Sequence, residues 1–192
     1  MKFILLKIIM KYVPEDTRKC IVADACHKCS EEYTDRLLIK QLKQKLPFRN
    51  VFYWRIEQVR GGALLKICEK VLKILIPPLN TIEIFVEGGI GADFYIPHRY
   101  CVINAKSIGK HVSILQGVTI GKDNNGNKPV IGNNVVIYPN SVIAGKVTIG
   151  DNVYIGANTF VNFDIKDNST VKAVKPIIMD YKKEGENNER RN

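Results

Sequence analysis

The chain has 192 residues, of which 45% are hydrophobic and 25% charged, with 14 Gly and 8 Pro. That apolar fraction excludes long disorder, collagen and coiled coil, and suffices for one compact unit with a small appendage. The net charge is +10, made of +7 in residues 1–83 (sixteen basic against nine acidic) and +3 in residues 84–192 (thirteen against ten). A basic surface favours anionic partners, but the basic residues are spread out and no nucleic-acid motif is present, so nucleic acid is not expected as a partner.

No uninterrupted apolar stretch approaches the ~20 residues that span a bilayer. Residues 1–10 are greasy, yet Lys2 and Lys7 punctuate the run and no small-residue cleavage site follows. This segment is expected to dock as a helix or strand, not to act as a signal peptide. Cys20, Cys26, His27 and Cys29 admit two readings, a zinc site or buried helical thiols. No second pair follows at zinc-finger spacing, and His27 beside Cys26 points elsewhere on a helix, so thiols are favoured and no metal is expected. Cys68 and Cys101 read as core or coil residues. Five cysteines, an odd number without a secretory signal, point to reduced thiols and a cytoplasmic setting.

Ser30 with Glu31 and Glu32 starts a helix whose apolar face is Tyr33, Leu37, Leu38, Leu42 and Leu46, ending at Pro47. Residues 62–76 form a second apolar, lysine-containing helix stopped by Pro77-Pro78. The expected role of this region is a helical cap over the first coil of a solenoid, because an open end exposes sheet edges and core. A sharper alternative is peripheral contact with an anionic membrane surface, at the inner face of the membrane.

From residue 84 onward the chain repeats. Aliphatic residues recur every six positions at Ile84, Ile90, Ile96, Val102, Ile108, Ile114 and Ile120, then at Ile131, Ile137, Ile143, Ile149, Ile155 and Val161. Gly often follows, and Val recurs four places on at 112, 118, 135, 147 and 153. A period of six keeps no helical face buried. It builds instead a triangular β-solenoid, three units per coil, with the aliphatic residues stacked inward. Glycine after the aliphatic residue, and Asn134, Asn140, Asn152 and Asn158, are expected to give backbone freedom at the corners. The pattern itself does not fix the hand of the coil. Between Ile120 and Ile131 the polar insert Lys122 to Pro129 is expected to bulge out as a loop. The fold class is thus mainly β with N-terminal helices. Its divisions are a helical region 1–81, a β-helix 82–172 with loop 122–129, and a C-terminal segment 173–192 whose tail after Tyr181 is expected to be disordered.

Three histidines exist, His27, His98 and His111. His98 sits two places after the inward aliphatic Ile96, and a neutral imidazole can take the proton of an attacking hydroxyl. A carboxylate that fixes its tautomer helps, and Glu83, fifteen residues earlier, lies slightly less than one coil away.

The run Ile96-Pro-His98, followed by Val112-Ser-Ile-Leu-Gln-Gly-Val-Thr-Ile-Gly121, resembles the serine acetyltransferase branch of the hexapeptide-repeat acyltransferases. It also resembles the shorter O-acetyltransferases of capsule and colanic-acid synthesis. The likeness covers about residues 82–172. It implies a left-handed parallel β-helix in a homotrimer, with acetyl-CoA as acyl donor lying between subunits. It further implies His98 as general base, Glu83 as its orienting carboxylate, and direct attack of the hydroxyl on the thioester. Backbone N–H groups near Gly121 would hold the oxyanion. Lys122, Lys128, Lys146, Lys172 and Lys175 are the candidate cations for the CoA phosphates.

The departures bear on the acceptor. Pro97 stands where serine acetyltransferases have Asp, and Asn127-Lys128-Pro129 where they have Arg-His-Pro. The counter-charge for an ammonium and the bidentate fork for a carboxylate are both lost. A sugar or polysaccharide-precursor hydroxyl is therefore the expected acceptor, with L-serine as the alternative and a non-catalytic β-helix scaffold as the rival outside enzymes. The end, Ala173-Val-Lys-Pro-Ile-Ile178, also departs from the family's Gly-Val-Pro-Ala-Arg, which bears on the contacts to the CoA tail. A zinc hydratase of the carbonic-anhydrase type needs a third coil histidine, and only His98 and His111 lie in the repeat.

Overall fold

The computed structural model describes residues 1–174. Lys175 and the tail beyond Tyr181 therefore lie outside the described residues. Five helices come first: α1 (Lys2–Tyr12), α2 (Glu15–Cys26), α3 (Asp35–Gln44), α4 (Leu46–Glu57) and α5 (Ala63–Leu75). The third begins later than the Ser30 signal suggested. Thr34 is its N-cap, with its hydroxyl oxygen accepting from the Leu37 N–H at 3.0 Å. Pro47 does not end a helix; it sits in the first turn of α4, where no N–H is needed. The sequence reading took this whole region as helical but did not delimit α2 and α4, because neither carries a clean apolar stripe: α4 is buried along most of its length and only three residues of α2 are buried.

The remainder is a left-handed parallel β-helix. One face stacks β1 (Ile82–Val86), β2 (Cys101–Ala105), β5 (Thr119–Gly121), β8 (Val142–Ala144) and β11 (Phe160–Val161). A second face stacks β3 (Ser107–Ile108), β6 (Val130–Ile131) and β9 (Thr148–Ile149). The third holds β4 (Ser113–Ile114), β7 (Val136–Ile137), β10 (Tyr154–Ile155) and β12 (Thr170–Val171). Every pairing between coils is parallel, and like residues sit on like: Ile103 on Ile120, Ile120 on Ile143, Ile143 on Val161. All four are fully buried, so the apolar ladder runs through the prism as the period demanded.

Two details of the repeat differ from the sequence reading. Val102 faces outward at 39% exposure, and Ile103 takes its place in the core. The cause is one additional residue at the preceding corner. Three residues, Pro97, His98 and Arg99, separate the inward Ile96 from the left-handed Tyr100 (φ 65°). The equivalent corners before Gly117, Asn140 and Asn158 have only two. Second, Gly91, Gly109, Gly132 and Gly150, after their aliphatic residues, serve close stacking and not conformational freedom. A Cβ on Gly109 would lie 2.5 Å from the Gly132 carbonyl oxygen one coil away. Asparagines hold several of the left-handed corner positions, among them Asn134, Asn140, Asn152 and Asn158.

The helices do cap the first coil. Val51 and Trp54 of α4 belong to the solenoid's core, while the other helices close around a second core that includes Leu6, Leu38, Phe52 and Leu72. A polar latch fixes the junction. Asp24 of α2 takes a two-pronged ion pair from Arg55 of α4 and also accepts the Phe94 N–H at 2.8 Å. Arg55 donates onward to the carbonyls of Ile90 (2.8 Å) and Gly91 (2.7 Å). Burial pushes the Asp24 carboxyl up, with Arg55 and the Phe94 N–H opposing.

Candidate functional site

The additional residue at the corner before Tyr100 sets the chemistry of this region. It pushes the chain out between β-helix and cap, and His98 stands exposed on that protrusion. There it lines a cavity of about 630 Å³. The cap side is formed by the α3–α4 junction, including Gln44, Lys45 and Phe48, and the solenoid side by Tyr95, Tyr100 and Gln116. Tertiary packing thus places the candidate base at a cleft between two cores, a common location for a binding site.

The carboxylate expected to orient it, Glu83, is exposed in β1 opposite Val102, and no hydrogen bond or ion pair within 4.0 Å joins it to His98 among the described residues. Fifteen residues fall short of the coil, whose strands β1 and β2 pair nineteen residues apart. The carboxylate that does bind imidazoles is Asp93. It meets His27 Nδ1 of the cap at 2.6 Å and His111 Nδ1 of the next coil at 2.8 Å. Asp93 and His111 are eighteen residues apart, the same interval as Asn134 and Asn152, whose side chains bond at 3.0 Å in the same corner column. That interval was the readable signal for the pair. His27 also stacks on Tyr95, with ring centroids 4.0 Å apart, so it ties the cap to the wall of the His98 cavity.

Although burial opposes it, the hydrogen bonds from His111 and His27 hold the Asp93 carboxyl below its usual range. A depressed acid contributes stability above its unfolded value, about 3.9, and loses that contribution as pH falls through the lower folded value. The expected outcome is that Asp93→Asn loses part of its stability at neutral pH, while its deficit against the parent shrinks as the medium is acidified below about pH 4. Urea unfolding of both proteins across that range measures it; a deficit that stays constant would show that Asp93 charge plays no part.

The candidate cofactor residues do not converge within one chain. Lys128 and Lys146, joined by Lys106, line a cleft of about 340 Å³ where β5's loop returns to β6. Lys128 there is ion-paired with Glu87 at 2.6 Å. Lys172 lines a different groove, beside Tyr138 and Tyr154, and Lys122 is an exposed loop residue lining neither. Gly121 ends β5 facing open space. The insert itself is a folded loop, pinned by Asp123, which accepts from the backbone N–H groups of Asn125 and Asn127 and from the Asn127 amide.

All five cysteines are free, and Cys20, Cys26 and Cys29 are half-buried, not fully buried as the thiol reading expected. His27 turns to Asp93, while the Cys29 sulfur accepts from the Gln41 amide at 3.2 Å. Among the described residues, no group of three or more His, Cys, Asp or Glu is placed to hold a metal ion.

A six-residue apolar period, parallel coils and left-handed corners define a hexapeptide-repeat β-helix, and residues 128–162 match the family model described as bacterial transferase hexapeptide (six repeats). No curated protein sequence is significantly similar to this chain. The fold is that of serine acetyltransferases. Isoform 3 of that enzyme from Entamoeba histolytica, in complex with cysteine, is 25% identical with a TM-score of 0.60, covering 92% of this chain and 64% of that one. The chain thus spans less than two thirds of the length of that relative. The serine acetyltransferase of Neisseria gonorrhoeae is 22% identical (TM-score 0.60), covering 94% of this chain and 79% of that chain. The soybean enzyme complexed with serine is 20% identical (TM-score 0.55), covering 91% and 82%. Over residues 128–162 the chain is similar to the hexapeptide-repeat family model, and its fold is similar to that of the serine acetyltransferases.

Proposed function

We propose that the protein is an acetyl-CoA-dependent O-acetyltransferase with His98 as its general base. The observation that carries this reading is His98 standing exposed in the cavity between cap and first coil, in a chain with the serine acetyltransferase fold. A ring nitrogen of His98 takes the acceptor's hydroxyl proton as the oxygen attacks the thioester carbonyl. The tetrahedral intermediate then expels CoA thiolate, which recovers that proton from the imidazolium. Backbone N–H groups near Gly121 are proposed to hold the oxyanion.

His98 lies at the corner between the third and first faces, whereas Lys128 and Lys146 lie at the corner between the first and second. One subunit therefore does not bring His98 and these two lysines to one place. This supports a homotrimer, in which acetyl-CoA lies between the His98 corner of one copy and the lysine cleft of its neighbour. Lys122, Lys172 and Lys175 are secondary candidates for the same anionic cofactor.

A sugar hydroxyl is the favoured acceptor. The acid that lines the cavity, Asp24, is already held by Arg55, and Pro97 supplies no charge, so an amino acid's ammonium finds no free partner in the described cavity. L-serine is the second reading, favoured by the serine-bound soybean relative. Thiol release from acetyl-CoA is the test, measured with L-serine and with a panel of mono- and oligosaccharides. Turnover on a sugar and none on serine is expected. Turnover on serine alone would reassign the acceptor, and none with any hydroxyl compound would leave a non-catalytic β-helix.

A further inference from the structure

We infer that the outer face of α1 and α5 docks on the anionic surface of a phospholipid bilayer, an inference that does not depend on the proposed acetyl transfer. The two helices pack side by side, and each turns one stripe into the helical core: Leu6, Ile9 and Met10 from α1, and Leu65, Cys68 and Leu72 from α5. The opposite stripe of α5 is Ala63, Ile67, Lys70 and Ile74, at the i, i+4, i+7, i+11 spacing of a single helix face. It is apolar where water should meet it, with Ile67 58% and Ile74 79% exposed and Leu64 beside them at 47%. On α1, Ile4 is 62% exposed, with Met1 and Phe3 also outward. Isolated exposed hydrophobics are ordinary, but six on two adjoining helices mark a contact surface.

The charge on these helices names the partner. Lys2, Lys7, Lys11, Lys66 and Lys70 lie among or beside the apolar residues. α1 has no acidic residue, and the one acid of α5, Glu69, is ion-paired with Lys73 at 2.6 Å. A second copy of this face would set lysine against lysine with no acid to answer. A bilayer with anionic headgroups accepts both features: isoleucines enter the interface while lysines, on long stems, reach phosphates. Helices of 11 and 13 residues are too short to cross a bilayer, so they would lie in its surface plane.

Co-sedimentation of the full chain with phosphatidylcholine vesicles, with and without phosphatidylglycerol, tests this. Binding is expected only with phosphatidylglycerol and is expected to weaken as salt rises. The double variants Ile67→Glu/Ile74→Glu and Lys66→Glu/Lys70→Glu should each lower vesicle affinity at least about tenfold. Both pairs are at the surface, so circular dichroism and thiol release with a soluble acceptor should be unchanged, which separates this result from any failure of the catalytic reading. Absence of binding, equal binding to both vesicle types, or variants that bind like the parent would overturn the inference. So would light scattering that shows a larger assembly broken by Ile67→Glu/Ile74→Glu, since the face would then join copies of the chain.

Discussion

Replacing His98 by alanine is expected to lower kcat for acetyl transfer by about 10²–10⁴, the range that removal of a general base produces. KM for acetyl-CoA should change little, because the lysines proposed to hold its phosphates lie at another corner. The ring is exposed on the Pro97–Arg99 protrusion and bears no core contact, so unfolding should not confuse the result. Glu83→Gln is the informative companion. With no hydrogen bond from the His98 ring to Glu83, its effect should be less than about tenfold, below the general-base range. Steady-state thiol release measures both. A His98→Ala protein with its full rate would remove the base from the mechanism, and a Glu83→Gln loss as large as that of His98→Ala would mean that the carboxylate reaches the ring during turnover.

Arg55→Met is expected to cost about 3–5 kcal/mol of folding stability, the usual penalty for stripping one partner from a buried ion pair. Its side chain is 4% exposed and that of Asp24 is fully buried, so the abandoned carboxylate cannot turn to water. The carbonyls of Ile90 and Gly91 lose their donors in the same step. The double variant Asp24→Leu/Arg55→Met removes the charge along with its partner and should lose less than the two single variants combined. Urea unfolding of the three proteins gives the coupling. Additive losses would show that Asp24 and Arg55 act separately. Because the latch also positions residues 90–94 just ahead of Tyr95 and His98, Arg55→Met should slow acetyl transfer even where the protein remains folded.

The six-residue period made the solenoid legible, since each aliphatic position must face inward whatever surrounds it. Ile120, Ile137 and Ile155 could be placed in the core by counting alone, and they are fully buried. The count failed at Val102, where one additional corner residue changes which side chain turns inward. In the helical region the reading delimited α3 and α5, whose apolar stripes are regular, and left α2 and α4 undivided within a region read as helical. In α4, Val51 and Trp54 serve the β-helix core while Phe52 and Ile56 serve the helical one. A helix buried on two sides has no stripe to read. His98 could be singled out by its motif, whereas among the described residues no hydrogen bond joins it to Glu83, because such a bond depends on side-chain placement that spacing along the coil does not fix.

The order of residues alone determined the parallel prism, its apolar ladder, the protruding insert and the presence of a helical cap, because each follows from local periodicity and turn chemistry. Only the tertiary structure decided which charges meet. Asp24 with Arg55 and Phe94, and Asp93 with His27 and His111, are brought together by the angle at which the cap sits on the first coil. That angle is set by two cores packing at once, and no single segment encodes it.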